Sequence, residues 1–351
     1  MTDTVLLKAA RWFDTVAGEV RTPATILVEG NRITSVDATD APTGATVIDL
    51  GDVTLLPGLM DMEINLLIGG PDNPSGLPNP MHGVQDDPVY RSLRGTVNAR
   101  TTLMAGFTTV RNLGLMVKTG GYLLDVALGR AIDNGWVVGP RVMSHSGEAG
   151  AQQYSDEELA AIVDEAHRAG IRVAAHAHGD AGIRACIRAG VDCIEHGSLA
   201  SDDTIRLMVE HGTFLVPTSY LSEGLDISKA APELQAKAAE VFPKARQMLG
   251  KAIAAGVKIA CGTDAPAIPH GDNAKELWAM VDRGMTPMQA LQAATTTSAE
   301  LIDRSHDLGR LSAGHLADVI AVAGNPAEDI TRTQDVRFVM KDGQIYKTPT
   351  L

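Results

Sequence analysis

One unit recurs through the middle of this 351-residue chain and limits its fold more than any other feature. A helical stretch ends in a small residue or histidine followed by glycine, and an apolar, β-branched run begins at once. Ala105-Gly-Phe-Thr-Thr-Val110, Ala169-Gly-Ile-Arg-Val-Ala-Ala175, Ala189-Gly-Val-Asp-Cys-Ile194, His211-Gly-Thr-Phe-Leu-Val216 and Ala255-Gly-Val-Lys-Ile-Ala260 are its clearest copies. Glycine past a helix end supplies a left-handed cap, and a continuous apolar run suits a parallel strand covered on both faces. Ser155-Asp-Glu-Glu158 and Ser201-Asp-Asp203 read as helix starts between these strands. Alternating βα units over this length point to a TIM-like (β/α) barrel, and no G-x-G-x-x-G follows a first strand to suggest dinucleotide binding. Strands are expected near 54–60, 107–112, 141–144, 172–176, 193–196, 214–218 and 258–262. That is seven, where a closed barrel of this type has eight, and residues 135–154 look compressed.

The two ends read differently. Thr25-Ile-Leu-Val28, the turn Glu29-Gly-Asn31 and Arg32-Ile-Thr-Ser-Val36 form a hairpin signal, and Val336–Met340 with Lys341-Asp-Gly-Gln344 form another. The expected fold class is therefore α/β: a barrel over 57–308, one βα unit short by this strand count, with a small composite β-sandwich from residues 1–56 and 309–351. A net charge of −13 argues against non-specific nucleic-acid or anionic-lipid binding, both of which need a basic face. Apolar residues at 44% suffice for a large core, yet no run approaches the ~20 residues of a membrane span. Three cysteines without a C-x-x-C spacing favour a reducing compartment, and with no visible secretory signal a cytoplasmic location is expected.

In such barrels the chemistry sits where strands finish. Reading those ends gives Glu63 and Asn65, Arg111 and Asn112, His176 and His178, His196, Thr218 and Tyr220, and Asp264. A histidine in a barrel is by itself an ordinary rim residue. Imidazoles and carboxylates from several strands converging on one rim are instead the donor set of a divalent-metal site. His176, His196 and Asp264, with Glu63 and Asn65, are the candidate ligands for one ion per chain, zinc first and cobalt or manganese as alternatives. His178, two residues past His176, points the same way and suits either ligation or polarising a substrate. Arg111, Tyr154, Tyr220 and His270 are candidate substrate contacts, Arg111 being equally suited to a structural ion pair. His82 belongs to a Pro-rich excursion, 71–88, that reads as a surface loop or lid.

These residues bring a resemblance with them. Leu55-Leu-Pro-Gly-Leu-Met-Asp61, Ala175-His-Ala-His-Gly179, Ile194-Glu-His-Gly197, Gly262-Thr-Asp-Ala265 and Gly314-His-Leu-Ala-Asp318 together resemble the amidohydrolase superfamily, in its imidazolonepropionase-like and Xaa-Pro-dipeptidase-like branch. The resemblance implies a metal-dependent hydrolase of amide-type C–N bonds, with His176 and His196 as ligands, Asp264 as ligand and base, and His178 facing the substrate. Two departures stand out. The H-x-H of the family's first strand is Glu63-Ile-Asn65 here, and no lysine lies between Lys118 and Lys229 to bridge two metals. Two cations held close without a bridging anion repel, so one ion is expected. His145 or Glu148 is a candidate to substitute for the lost bridge. The expected function is a mononuclear amidohydrolase acting on a dipeptide, N-acyl amino acid or cyclic amide. The alternatives are an inactive relative with a binding or assembly role, or a poorly folded variant. The expected partner is a small-molecule substrate, with self-association common among relatives.

Overall fold

The computed structural model describes residues 4–69, 87–113, 123–145 and 154–349. Two sheets are built from the ends of the chain. The first has the order β5-β4-β1-β6, from β1 (Thr4–Ala9), β4 (Ala24–Glu29), β5 (Arg32–Ser35) and β6 (Thr46–Asp49). The second has the order β16-β15-β14-β7-β2-β3. It joins β2 (Arg11–Asp14), β3 (Glu19–Arg21) and β7 (Val53–Pro57) to β14 (Val319–Ala323), β15 (Val336–Lys341) and β16 (Gln344–Lys347). Both glycine-turn hairpins form as antiparallel pairs, β4–β5 and β15–β16. Leu7, Ile26, Leu55, Val319 and Phe338 are buried in a common core drawn from both ends of the chain.

The middle holds two three-stranded parallel sheets. One is β8 (Leu59–Ile64), β9 (Phe107–Leu113) and β10 (Arg141–His145), in the order β10-β9-β8. The other is β11 (Ala174–Ala177), β12 (Cys193–His196) and β13 (Phe214–Val216), in sequence order. Segment 258–265 bonds to both. Leu215 N donates to the Lys258 carbonyl at 2.9 Å, and Met62 N donates to the Cys261 carbonyl at 2.8 Å. Helices lie between the strands and stop where the glycines require. Gly190, Gly212 and Gly256 adopt φ of 93°, 68° and 80° at three helix ends. Ser155 forms its capping box with Glu158. The arrangement is a barrel-like α/β unit that does not close among the described residues, because no ladder joins β10 to β11.

One expected strand is in fact two. Residues 53–64 split at Gly58, with β7 in the terminal sheet and β8 at the start of the parallel one. Gly58 passes so close to Thr108 that a Cβ would lie 2.0 Å from its hydroxyl oxygen, so only glycine lets the chain change sheets there. Arg141 at the base of β10 donates to Asp318 and Asp342 at 2.9 and 2.6 Å, tying this edge strand to the terminal sheet.

Candidate metal centre

The strand ends bring together what the sequence scattered. Ligand atoms of His176, His178 and His196 lie within 4.8 Å of one another, and so do those of Glu63, His196 and Asp264. His196 is common to both groups and buried, with its ring centroid 4.4 Å from that of His176 and 4.7 Å from that of His178. Glu63 ends β8, His176 lies in β11, His196 ends β12, and Asp264 lies on the segment joining the sheets. His196, Thr218 and Asp264 have φ of 67°, 46° and 54°, a left-handed backbone that residues other than glycine seldom adopt. Such strain gathers where surrounding structure over-determines a functional geometry.

Hydrogen bonding orients the rings. The Thr218 hydroxyl donates to the Pro217 carbonyl at 2.8 Å and lies 2.7 Å from His196 Nδ1. On the other side of the ring, His196 Nε2 lies 3.2 Å from Glu63 Oε1. An imidazole nitrogen and a carboxylate oxygen at that distance suit a hydrogen bond in the metal-free ring and two ligands of one ion when a metal is bound. Asn65 Nδ2 donates to Asp264 Oδ1 at 3.4 Å, while its buried Oδ1 has no hydrogen-bond partner among the described residues. Burial, then the charge of His196, lowers the pKa of His176 to about 4. Burial and both neighbouring imidazoles lower that of His178 to about 3. Both are therefore neutral near pH 7, the form in which imidazole ligates. His176, His178 and His196 form one group of residues that could hold a divalent ion, and Glu63, His196 and Asp264 form another.

Other expectations fare differently. Arg111 sits in the interior as an ion-pair residue, the structural role that the sequence left open beside substrate contact. It is 1% exposed, its Nη2 donates to Glu195 Oε1 at 2.5 Å, and its Nε donates to the Met62 carbonyl at 2.6 Å. Burial opposes its charge, but Glu195, Cys193 and Glu63 together outweigh that and hold its pKa above the usual value. Asn112 is structural too, its side-chain oxygen accepting from Leu66 N at 2.9 Å. The Tyr220 ring meets Trp278 edge-on at 6.1 Å, and Tyr154 packs on the large central core. His270 Nε2 lies 3.4 Å from the Ile68 carbonyl, and burial lowers its pKa to about 4. None of these three touches the imidazole cluster through a hydrogen bond or ring contact. His82 and Glu148 fall outside the described residues, as does the side chain of His145.

Several polar residues around the site had gone without an assigned role. Asp61, Asn273 and Glu276 are completely buried, and Ser198 Oγ lies 2.9 Å from His178 Nδ1. Asp61 had a visible signal, an acid inside the apolar run Leu59-Met-Asp-Met62. The other three had none, because their partners are distant in sequence.

The Amidohydrolase family model matches residues 139–348, more than half of the chain. This chain belongs to the amidohydrolase family. Ochratoxinase of Aspergillus niger is 41% identical over 221 residues, covering 59% of this chain and 45% of that protein. An uncharacterized protein of Mycobacterium tuberculosis is 37% identical over 220 residues, covering 61% of this chain and 58% of the other. The chain thus spans only about half the length of the curated relatives it matches. Among solved structures, a Xaa-Pro dipeptidase with bound methionine superposes with a TM-score of 0.88 at 31% identity, over 98% of this chain and all of that one. The A. niger ochratoxinase structure gives 0.84 at 26% identity, over 100% of this amidohydrolase and 97% of that chain. These neighbours imply a TIM-barrel-like α/β domain for the two parallel sheets and their connecting segment.

Proposed function

We propose that this amidohydrolase is a mononuclear metal-dependent hydrolase of an amide-type C–N bond in a small substrate. The observation that carries the reading is the convergence on His196 of two donor groups, one with His176 and His178 and the other with Glu63 and Asp264. Ochratoxinase and Xaa-Pro dipeptidase relatives support the amide class, and a dipeptide or N-acyl amino acid is the substrate proposed. In this reading residues 57–308 form the barrel, one βα unit short between β10 and β11. Residues 1–56 and 309–351 form the composite β-sandwich.

A divalent ion, zinc by preference, supplies Lewis acidity and an acidified water when bound. Asp264 takes the proton of the attacking water and passes it to the leaving nitrogen. With the Ser198 hydroxyl donating to Nδ1, neutral His178 carries its proton on Nε2 and donates it as a hydrogen bond to the developing oxyanion. Tyr154, Tyr220 and His270 stay as candidate substrate contacts on adjoining loops. The absence of H-x-H and of a bridging lysine limits the site to one ion. No helix among the described residues is long and apolar enough to cross a membrane, and a cytoplasmic, self-associating enzyme is proposed.

Metal analysis of the purified chain tests the reading. About one ion per chain is expected, lost in His196→Ala and Asp264→Ala, with amide hydrolysis lost in parallel. A chain that takes up neither Zn²⁺ nor Co²⁺ refutes it and favours a non-catalytic binding role.

A further inference from the structure

Two buried side chains, one just before the helix Lys275–Asp282 and one in its first turn, reach opposite halves of the site without touching a candidate ligand. Asn273 Nδ2 donates to Asp61 Oδ2 at 2.7 Å, and its Oδ1 accepts from Gly271 N at 3.0 Å, which fixes the amide's orientation. Asp61 also accepts from the Thr263 hydroxyl at 2.6 Å, from Thr263 N at 3.1 Å and from Glu63 N at 3.2 Å. Asp264 N then donates to the Glu63 carbonyl at 2.8 Å. Asn273 thus supports the carboxylate that holds the Glu63 and Asp264 backbones together.

Three residues on, Glu276 accepts from Ser219 N at 2.8 Å and Tyr220 N at 2.7 Å, one bond to each carboxylate oxygen. These are the two residues after Thr218, whose hydroxyl faces His196 Nδ1. Thr218 and Asp264 both hold left-handed backbone, which relaxes unless something retains it. Burial raises the pKa of Glu276 to about 8 against the pull of both amides and Arg283. A carboxyl kept inside at such a cost does more than fill space.

We propose that Asn273 and Glu276 are positioning residues, holding the carboxylate half and the imidazole half of the site in mutual alignment from a single turn of chain. The inference rests on the reading of the site as a metal centre. It predicts that ligand geometry, and not only stability, changes when either residue is replaced. Outer groups of this kind typically account for 10–100-fold in metal affinity.

The test compares wild type, Glu276→Gln, Asn273→Ala and a remote control, Phe338→Leu, in the core of the terminal sheets. Co²⁺ affinity is read by chelator competition, ligand geometry by the visible absorption of the Co²⁺ form, and local order by amide hydrogen exchange. Each site variant is expected to weaken Co²⁺ binding about 10–100-fold and change the spectrum. Exchange rises at 219–220 in Glu276→Gln and at 263–264 in Asn273→Ala, while the control loses thermal stability with Co²⁺ affinity unchanged. Site variants that bind like wild type, or a control that weakens binding as much, overturn the proposal. A wild type that binds no Co²⁺ refutes the proposed function instead. Exchange alone then decides, and unchanged protection at 219–220 and 263–264 overturns the positioning role. Should Glu276→Gln fail to fold, Glu276→Asp keeps the carboxyl group, shortens the reach and gives the same readouts.

Discussion

The pair Arg111–Glu195 offers the sharpest check on how the interior is held. Both side chains are 2% exposed and meet at 2.5 Å. Removing one partner of such a pair strands a charge in a low-dielectric interior and costs about 3–5 kcal/mol. Arg111→Met also withdraws the donor from the Met62 carbonyl, adding about 1 kcal/mol. Unfolding entropy scales with length, about 2.1 cal/mol/K per residue, which gives roughly 0.7 kcal/mol/K for 351 residues. The single variant should therefore melt about 5–8 °C below wild type. Glu195→Leu alone should fall about 4–7 °C. The double variant Arg111→Met/Glu195→Leu replaces the pair by apolar groups and leaves only the orphaned carbonyl, so it should melt within about 3 °C of wild type. Thermal unfolding of the four proteins completes the cycle. Losses that simply add in the double variant, or an Arg111→Met protein with unchanged melting but raised KM, would refute the structural assignment and return Arg111 to the substrate site.

Further outcomes follow from other contacts. Thr218→Val removes the hydroxyl that holds His196 Nδ1 and should weaken Zn²⁺ binding about 10–100-fold, while Thr218→Ser restores it, as read by chelator competition. Gly262→Ala places a Cβ 2.3 Å from Val216 Cγ1 and 2.9 Å from Glu63 N. It should cost about 1–3 kcal/mol in denaturant midpoint and displace Glu63, lowering metal occupancy. Because the folded-state pKa of Glu276 is raised from 4.5 to about 8, the native state retains its proton longer than the unfolded chain. Its contribution is full below the ordinary glutamate range and is lost as pH rises toward about 8, by at most about 1.4 kcal/mol per pH unit. Glu276→Gln should flatten that slope in melting curves between pH 5 and 8, and an unaltered slope would contradict the assignment.

Much of this was legible in the sequence because it depends on local chemistry. The glycines after helices, the Ser155 capping box and the hairpin turns act within a few residues. His176, His196 and Asp264 could be read because strand ends in a repeating βα chain face one rim. The pairing of Arg111 with Glu195, 84 positions away, could not be read, since either residue alone suits a substrate contact or an ion pair. Gly58 was hidden for a related reason. A single apolar run, 53–64, serves two sheets, and only the closeness of Thr108 shows where it divides. Glu276 gave no hint at all, set between Lys275 and Leu277 on an ordinary amphipathic helix.

The second terminal sheet has a consequence for how the molecule is made. β7 pairs with β14, a strand that begins 262 positions after β7 ends at Pro57. During synthesis the β7 edge emerges early and waits, apolar and unpartnered, while the whole parallel unit is translated. Chains that stall or are cut before Val319 keep that edge exposed, and they are the species most apt to aggregate or engage chaperones.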